Sequence, residues 1–312
     1  MRDMRLRLIS RLPIFLLCIS LCSLATAQQE SSSSQSSTSP ASRGRSQAKA
    51  RPEVEQQRQQ AQQQAQSTLD KDAVTAITET QNAIKAIADN KPDQALASIE
   101  RASGKIHVLT ARNPATALLP VDSEIVVIDS APVDVEAIRE RARAAKKAMD
   151  DKDYPTARVI LESLASEIRV RTYHLPLATY PDALKQAARL LDQKKTQEAN
   201  QVLATALSTL VIVDRVKPLP ILIAKASVDA ANNIRQKDKD TALKLLSVAH
   251  GELDRAKELG YAGNDPEYLA VDTMINDVEK QVKSNGDAKT VFASLRQKVD
   301  QLFKKQSESP RK

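Results

Sequence analysis

Ser166-Glu167-Ile168-Arg169-Val170-Arg171-Thr172-Tyr173-His174-Leu175-Pro176-Leu177-Ala178-Thr179-Tyr180-Pro181-Asp182 reads as neither helix nor tail, and the fold follows from it. Apolar and polar residues alternate from Ile168 to Thr172, the period of a short strand. Pro176 and Pro181 then interrupt regular structure. Thr179-Tyr180-Pro181-Asp182 has the form of a capping box that starts a helix. The rest of the chain reads as helical hairpins arranged around such extended pieces.

The hairpins repeat. Aligned on Ala95, Ala157, Ala199 and Ala242, the chain has Ala83, Ala145, Ala187 and Ala230 twelve residues earlier. Eight earlier stand Ile87, Met149, Leu191 and Ile234; four later stand Ile99, Leu161, Leu203 and Leu246. Spacings of three, four and seven keep such residues on one helix face, and Ala at facing positions lets two antiparallel helices approach closely. A polar turn separates the two halves of each unit, as in Asp89-Asn90-Lys91-Pro92. The pattern predicts a mainly α fold of antiparallel helical hairpins in tetratricopeptide-like repeats. The anchors lie 62, 42 and 43 residues apart, so the spacing is not that of a tetratricopeptide array. The excess in the first interval contains Ser123-Glu124-Ile125-Val126-Val127-Ile128-Asp129, a β-branched strand candidate, and Leu210-Val211-Ile212-Val213 is a third. These linkers are placed to pair into a small sheet against the helices.

At the N-terminus Arg2, Arg5, Arg7 and Arg11 precede the apolar run Leu12–Leu24 and the small residues Ala25-Thr26-Ala27. That is the pattern of a secretory signal cleaved after Ala27, over residues 1–27, and it predicts a periplasmic protein. The run is too short to span a bilayer, so no membrane insertion is expected once the signal is removed. Residues 28–66, rich in Gln and Ser, are expected to be disordered, with a frayed helix over 53–66 as the ordered alternative. A single helical domain is expected over 67–304 and a polar tail over 305–312.

Cys18 and Cys22 both lie in the signal, so disulfide, thiol and thiolate-metal chemistry are excluded from the mature chain. Losing four Arg and one Asp with the signal takes the formal net charge from +7 to +4. The charges are interspersed along helices, and aromatics are limited to five Tyr and three Phe, so nucleic acid is not an expected partner. No phosphate-binding loop, paired-His zinc motif, nucleophile elbow or dinucleotide fingerprint is present, and no cofactor is expected. Asp150 to Asp153 is read as a turn in which Asp153 caps the following helix. The candidate ligand-binding residues are Arg169, Arg171, Tyr173, His174 and Tyr180, where aromatics, cations and one of three histidines fall together.

Several strings resemble the YfdX family of exported bacterial proteins. They are Ala111-Arg112-Asn113-Pro114, Ala117-Leu118-Leu119-Pro120-Val121-Asp122, Leu164-Ala165-Ser166-Glu167-Ile168-Arg169, Leu175 to Asp182, and Pro218-Leu219-Pro220. The resemblance spans roughly residues 72–262 and implies a helix-rich fold with a periplasmic, stress-associated role. It brings no catalytic residues. The expected function is non-enzymatic binding of a peptide, a protein or a small apolar ligand in a groove between hairpins. The alternatives are an assembly module that forms a homo-oligomer, and a cell-wall hydrolase that would use Glu167 or Glu124.

Overall fold

The structure, a computed structural model, describes residues 52–261, 265–284 and 286–308. The signal segment, residues 28–51 and residues 309–312 lie outside them. The elements run α1 (Pro52–Thr68), α2 (Lys71–Ala88), α3 (Pro92–Arg112), β1 (Leu118–Asp129), α4 (Val135–Asp150), α5 (Tyr154–Glu162) and β2 (Ser166–Pro176). They continue with α6 (Tyr180–Asp192), α7 (Thr196–Ser208), β3 (Val211–Pro218), α8 (Leu219–Ile234), α9 (Lys239–Glu258), α10 (Pro266–Lys283) and α11 (Lys289–Glu308).

All three strand candidates are strands, and each is longer than its apolar run. They form one antiparallel sheet in the order β1-β2-β3, with Ile125 opposite Val170 and Arg171 opposite Asp214. Neighbouring antiparallel strands are usually joined by a tight turn. Here α4–α5 joins β1 to β2 and α6–α7 joins β2 to β3. An antiparallel helix pair returns the chain to the end of the sheet it left, so the next strand runs in reverse. Pro120 is tolerated because β1 is an edge strand and its register shifts between Pro120 and Asp122.

Two apolar cores flank this frame. One joins α2, α3, α6 and α7 through Ala83, Ala95, Ile99, Leu184, Ala187, Ala199 and Leu203. The other joins α8 to α11 and takes in Val54 of α1 and Ile168 of β2. Ala95, Ala157, Ala199 and Ala242 are all buried, as the repeat requires. Two copies depart from it. In the fourth, Ala231 is buried and Ala230 exposed, one residue out of register. In the second, Met149 and Leu161 are 51% and 50% exposed, because α4–α5 belongs to neither core. The mainly helical fold with paired helices and a small sheet is therefore established, and one hairpin of the series stands outside the packed cores.

The first three copies share their turn chemistry. Asn90, Lys152 and Lys194 occupy the same place in the first three turns, with φ of 56°, 61° and 61°. Each turn closes with a long backbone bond, Lys91 N to Ala86 O, Asp153 N to Ala148 O and Lys195 N to Leu190 O, at 2.8 Å each. This is the left-handed helix stop usually given to glycine. Asp153 accepts from Thr156 N at 3.2 Å, the expected cap on α5. The capping box at Thr179 does not form: α6 starts at Tyr180, but Thr179 has φ −116° and ψ −28° and makes no side-chain cap bond. Its backbone is helical, whereas a capping residue is normally extended.

Residues 53–66 fall within α1. Their expected disorder rested on a composition with few apolar residues. The structure shows that Val54, Ala61 and Ala65, spaced by seven and four, are buried on one face of that helix.

Ala187 and Ala199 are both fully buried in the α6–α7 hairpin, and Gln201 is exposed. Ala199→Leu should overpack this contact at a cost of about 1–3 kcal/mol. Gln201→Leu should stay within about 0.5 kcal/mol of neutral. Urea melts separate the two, and equal effects would mean that the hairpin register is wrong.

Candidate functional site

Strand geometry sorts the expected ligand residues. Glu167, Arg169, Arg171 and Tyr173 point to one face of β2, and Ile168, Val170, Thr172 and His174 to the other. Arg171 meets Asp214 of β3 in a bidentate pair, Nε–Oδ1 and Nη2–Oδ2 both 2.9 Å, and the carboxylate raises the guanidinium pKa further. Arg169 reaches Glu167 Oε1 at 2.9 and 2.7 Å. Tyr180 is 1% exposed in the core and donates to Thr80 Oγ1 at 2.8 Å. His174 lies on the opposite face of β2 from both arginines, and its Nδ1 is buried without a hydrogen-bond partner. The five residues are thus not gathered around one space.

Burial pushes the Tyr180 phenol up from 10.0 to about 12, opposed by its bond to Thr80. Below pH 10.0 the phenol is neutral in both folded and unfolded chains. Between 10.0 and about 12 only the unfolded chain ionises, so this group removes stability across that window and no more above it. Tyr180→Phe should cost about 1 kcal/mol at neutral pH and abolish this alkaline component. A pH series of denaturant melts checks both effects. An unchanged alkaline slope in the variant would place the loss elsewhere.

The face of β2 that carries Val170 and Thr172 opens onto a cavity of about 330 Å³. Ala61, Gln64, Ala65 and Thr68 of α1 form one wall, and Phe303, Lys304 and Ser307 of α11 another. Arg215 and Lys217 of β3 reach it from the sheet. They share a face because they are two residues apart, and Arg215 lies directly opposite Val170. Among the described residues no carboxylate lines the cavity. The Lys217 ammonium sits 5.9 Å from the Phe303 ring centroid, within reach of a cation–π attraction. Lys304 pairs with Asp300 at 2.9 Å, and Asp300 also takes Lys225 at 2.9 Å. These two lysines, Lys225 foremost, hold the Asp300 carboxyl below its ordinary pKa. Arg215 makes no ion pair among the described residues. Ser307 is 8% exposed, and its Oγ is buried with no hydrogen-bond partner.

Sequence reading missed this cavity. Two of its three cations come from a strand recognised only by its first residues, and the third, with the walls, from helices that no motif marks.

A second polar cluster joins β1, β2 and α9. Glu167 is fully buried; its Oε1 is held by Arg169 and its Oε2 accepts from the Tyr261 hydroxyl at 2.9 Å. Tyr261 accepts in turn from Ser166 N at 2.9 Å, and Ser166 Oγ donates to Asp129 at 2.8 Å. Arg255 closes the chain on Asp129 at 2.9 Å. A general acid needs access to substrate. Glu167 has none, and Glu124 stands exposed on an edge strand outside the cavity. Among the described residues no group of three or more His, Cys, Asp or Glu could hold a metal ion, and no helix is long and apolar enough to cross a membrane.

Fold and site define a mainly helical protein in which hairpins connect the strands of a small sheet, with a cation-lined cavity over one sheet face. Residues 76–216, from α2 to β3, match the family model described as YfdX protein. Among solved structures the chain is similar to Salmonella Typhi YfdX. The identity is 13%, the match covers 48% of this chain and 93% of that one, and the TM-score is 0.33. Comparison with curated proteins returned no match.

Proposed function

We propose that this protein is a non-enzymatic binding protein of the periplasm, exported by a signal cleaved after Ala27, with a stress-associated role. The observation that carries the binding role is the cavity between α1, the sheet and α11, lined among the described residues by three cations and no carboxylate. Of the five residues expected from sequence, His174 lies on the cavity's side of β2 and is retained as a contributor at its margin. The proposed groove is thus formed by the terminal helices and the sheet that the hairpins hold in place. A thermal-shift screen of the mature protein against peptides and small molecules tests the reading, since a ligand that binds only the folded state raises its melting temperature. Thr172→Phe, which fills the cavity from the sheet side, should remove the shift and leave the helical circular dichroism intact. A shift that persists in the variant would overturn the assignment. Export is checked by the intact mass of the periplasmic form, expected to begin at Gln28.

The second reading, a homo-oligomeric assembly module, has its own observation. Hairpin α4–α5 exposes Met149, Tyr154, Val159 and Leu161, four large apolar side chains on an element outside both cores. Light scattering after size exclusion tests it. A defined oligomer that Val159→Glu converts to monomer favours assembly, and a monomeric native protein removes this reading.

A further inference from the structure

We infer that the cavity's ligand is a small soluble organic oxyanion, a carboxylate or phosphomonoester carried on a short apolar body. The inference rests on the binding role proposed above and adds the ligand's chemistry. The charge balance is its first support. Arg215, Lys217 and Lys304 bring three positive charges to the lining, which has no acid among the described residues. Two features oppose them. The C-terminal turns of α1 and α11 border the cavity through Thr68 and Ser307, and a helix C-terminus carries about half a negative charge. Asp300 offsets Lys304, although it is shared with Lys225. Lys304 is thus offset by Asp300 and Lys217 is engaged by the Phe303 ring, so neither is a charge open to a ligand. The charge open to a ligand is that of Arg215, which has no ion pair among the described residues.

Geometry is the second support. A guanidinium presents paired donors that match the two oxygens of a carboxylate or phosphate. Thr172 and Gln64 add neutral donors from facing walls, and Ser307 Oγ is buried without a hydrogen-bond partner. The remaining lining is apolar: Ala61 and Ala65 on α1, Val170 on the sheet and the Phe303 ring. One set of walls therefore suits a charged head and the other a hydrocarbon body. At about 30 Å³ per water, the volume holds on the order of ten non-hydrogen atoms. That is the size of a six-carbon acid or its phosphate ester, far below a folded peptide segment.

Isothermal titration of the mature protein with hexanoate, hexyl phosphate, inorganic phosphate and hexanol tests the inference. Hexanoate or hexyl phosphate should bind more tightly than hexanol and than inorganic phosphate, with affinity that falls as salt is added. Arg215→Gln, at an exposed position, should keep the native melting temperature and weaken anion binding about tenfold or more, leaving hexanol unchanged. Thr172→Phe should abolish binding of all of them. Hexanol binding as tightly as hexanoate, with Arg215→Gln silent, would overturn the anion inference and leave the cavity as a binding site. Anion binding that survives Thr172→Phe would overturn both. Co-sedimentation with phosphatidylglycerol vesicles, competed by hexyl phosphate, would assign the anion to a lipid headgroup and overturn the soluble ligand.

Discussion

Arg255→Ala is expected to destabilise the protein by about 3–5 kcal/mol, the cost of removing one member of a buried ion pair. The Arg255 side chain is 4% exposed and Asp129 5%. The guanidinium reaches Asp129 at 2.9 Å and Glu252 at 3.3 Å. It also donates to the carbonyls of Pro132 at 3.0 Å and Ala131 at 3.2 Å. Alanine takes the guanidinium from the buried Asp129, which keeps the Ser166 hydroxyl as a donor, and from two backbone carbonyls. The loss is also local in its consequences. Arg255 ties α9 to the segment between β1 and α4, next to the Arg139–Glu258 pair that joins α4 to α9 at 2.8 Å. Amide exchange across Val135–Glu162 should therefore accelerate first. The double variant Arg255→Met with Asp129→Leu should cost less than Arg255→Ala, since it removes the stranded charge as well. A single-variant cost under about 1 kcal/mol would mean that water screens the pair as it does at a surface.

Glu167→Leu should be nearly as damaging, at about 3 kcal/mol or more. Its carboxylate is fully buried. Leucine would leave Arg169, whose side chain is only 26% exposed, without its ion pair, and would remove the acceptor of the Tyr261 hydroxyl. Glu167→Gln should cost less, because its amide oxygen keeps an acceptor for Arg169, although its NH₂ cannot accept from the Tyr261 hydroxyl as the carboxylate does. Guanidinium melts of the two variants give the order directly. A Gln variant as unstable as the Leu variant would show that a neutral acceptor for Arg169 does not suffice to hold this corner. Activity screens for cell-wall cleavage should be unmoved by either substitution.

Much of the helical framework was legible in the sequence. Alanines at fixed spacing mark helix faces that touch, and Asp153 marks a helix start, because both depend on residues a few positions apart. The strands were legible from Ile168 to Thr172 and from Ile125 to Ile128 for the same reason. The second hairpin copy was misleading. Met149 and Leu161 carry the repeat's apolar signature yet face solvent, since burial depends on whether another element arrives to cover them.

The candidate site shows the limit more sharply. Arg169 and Arg171 look like free cations in sequence. One is consumed by Glu167, the other by Asp214, 43 residues away and brought opposite by strand register. Tyr180 finds Thr80 across 100 residues. The cavity needs Ala65 on a stretch that composition left between disorder and a frayed helix, Arg215 on a strand whose apolar run stops short of it, and Phe303 near the end of the chain. Helix faces, turns and strand positions could be read from residue order alone, because local sterics and periodicity act over one or two turns of chain. Which cations are paired and which line a cavity emerged only on folding, because charge pairing and enclosure depend on distances between segments that the chain order does not contain.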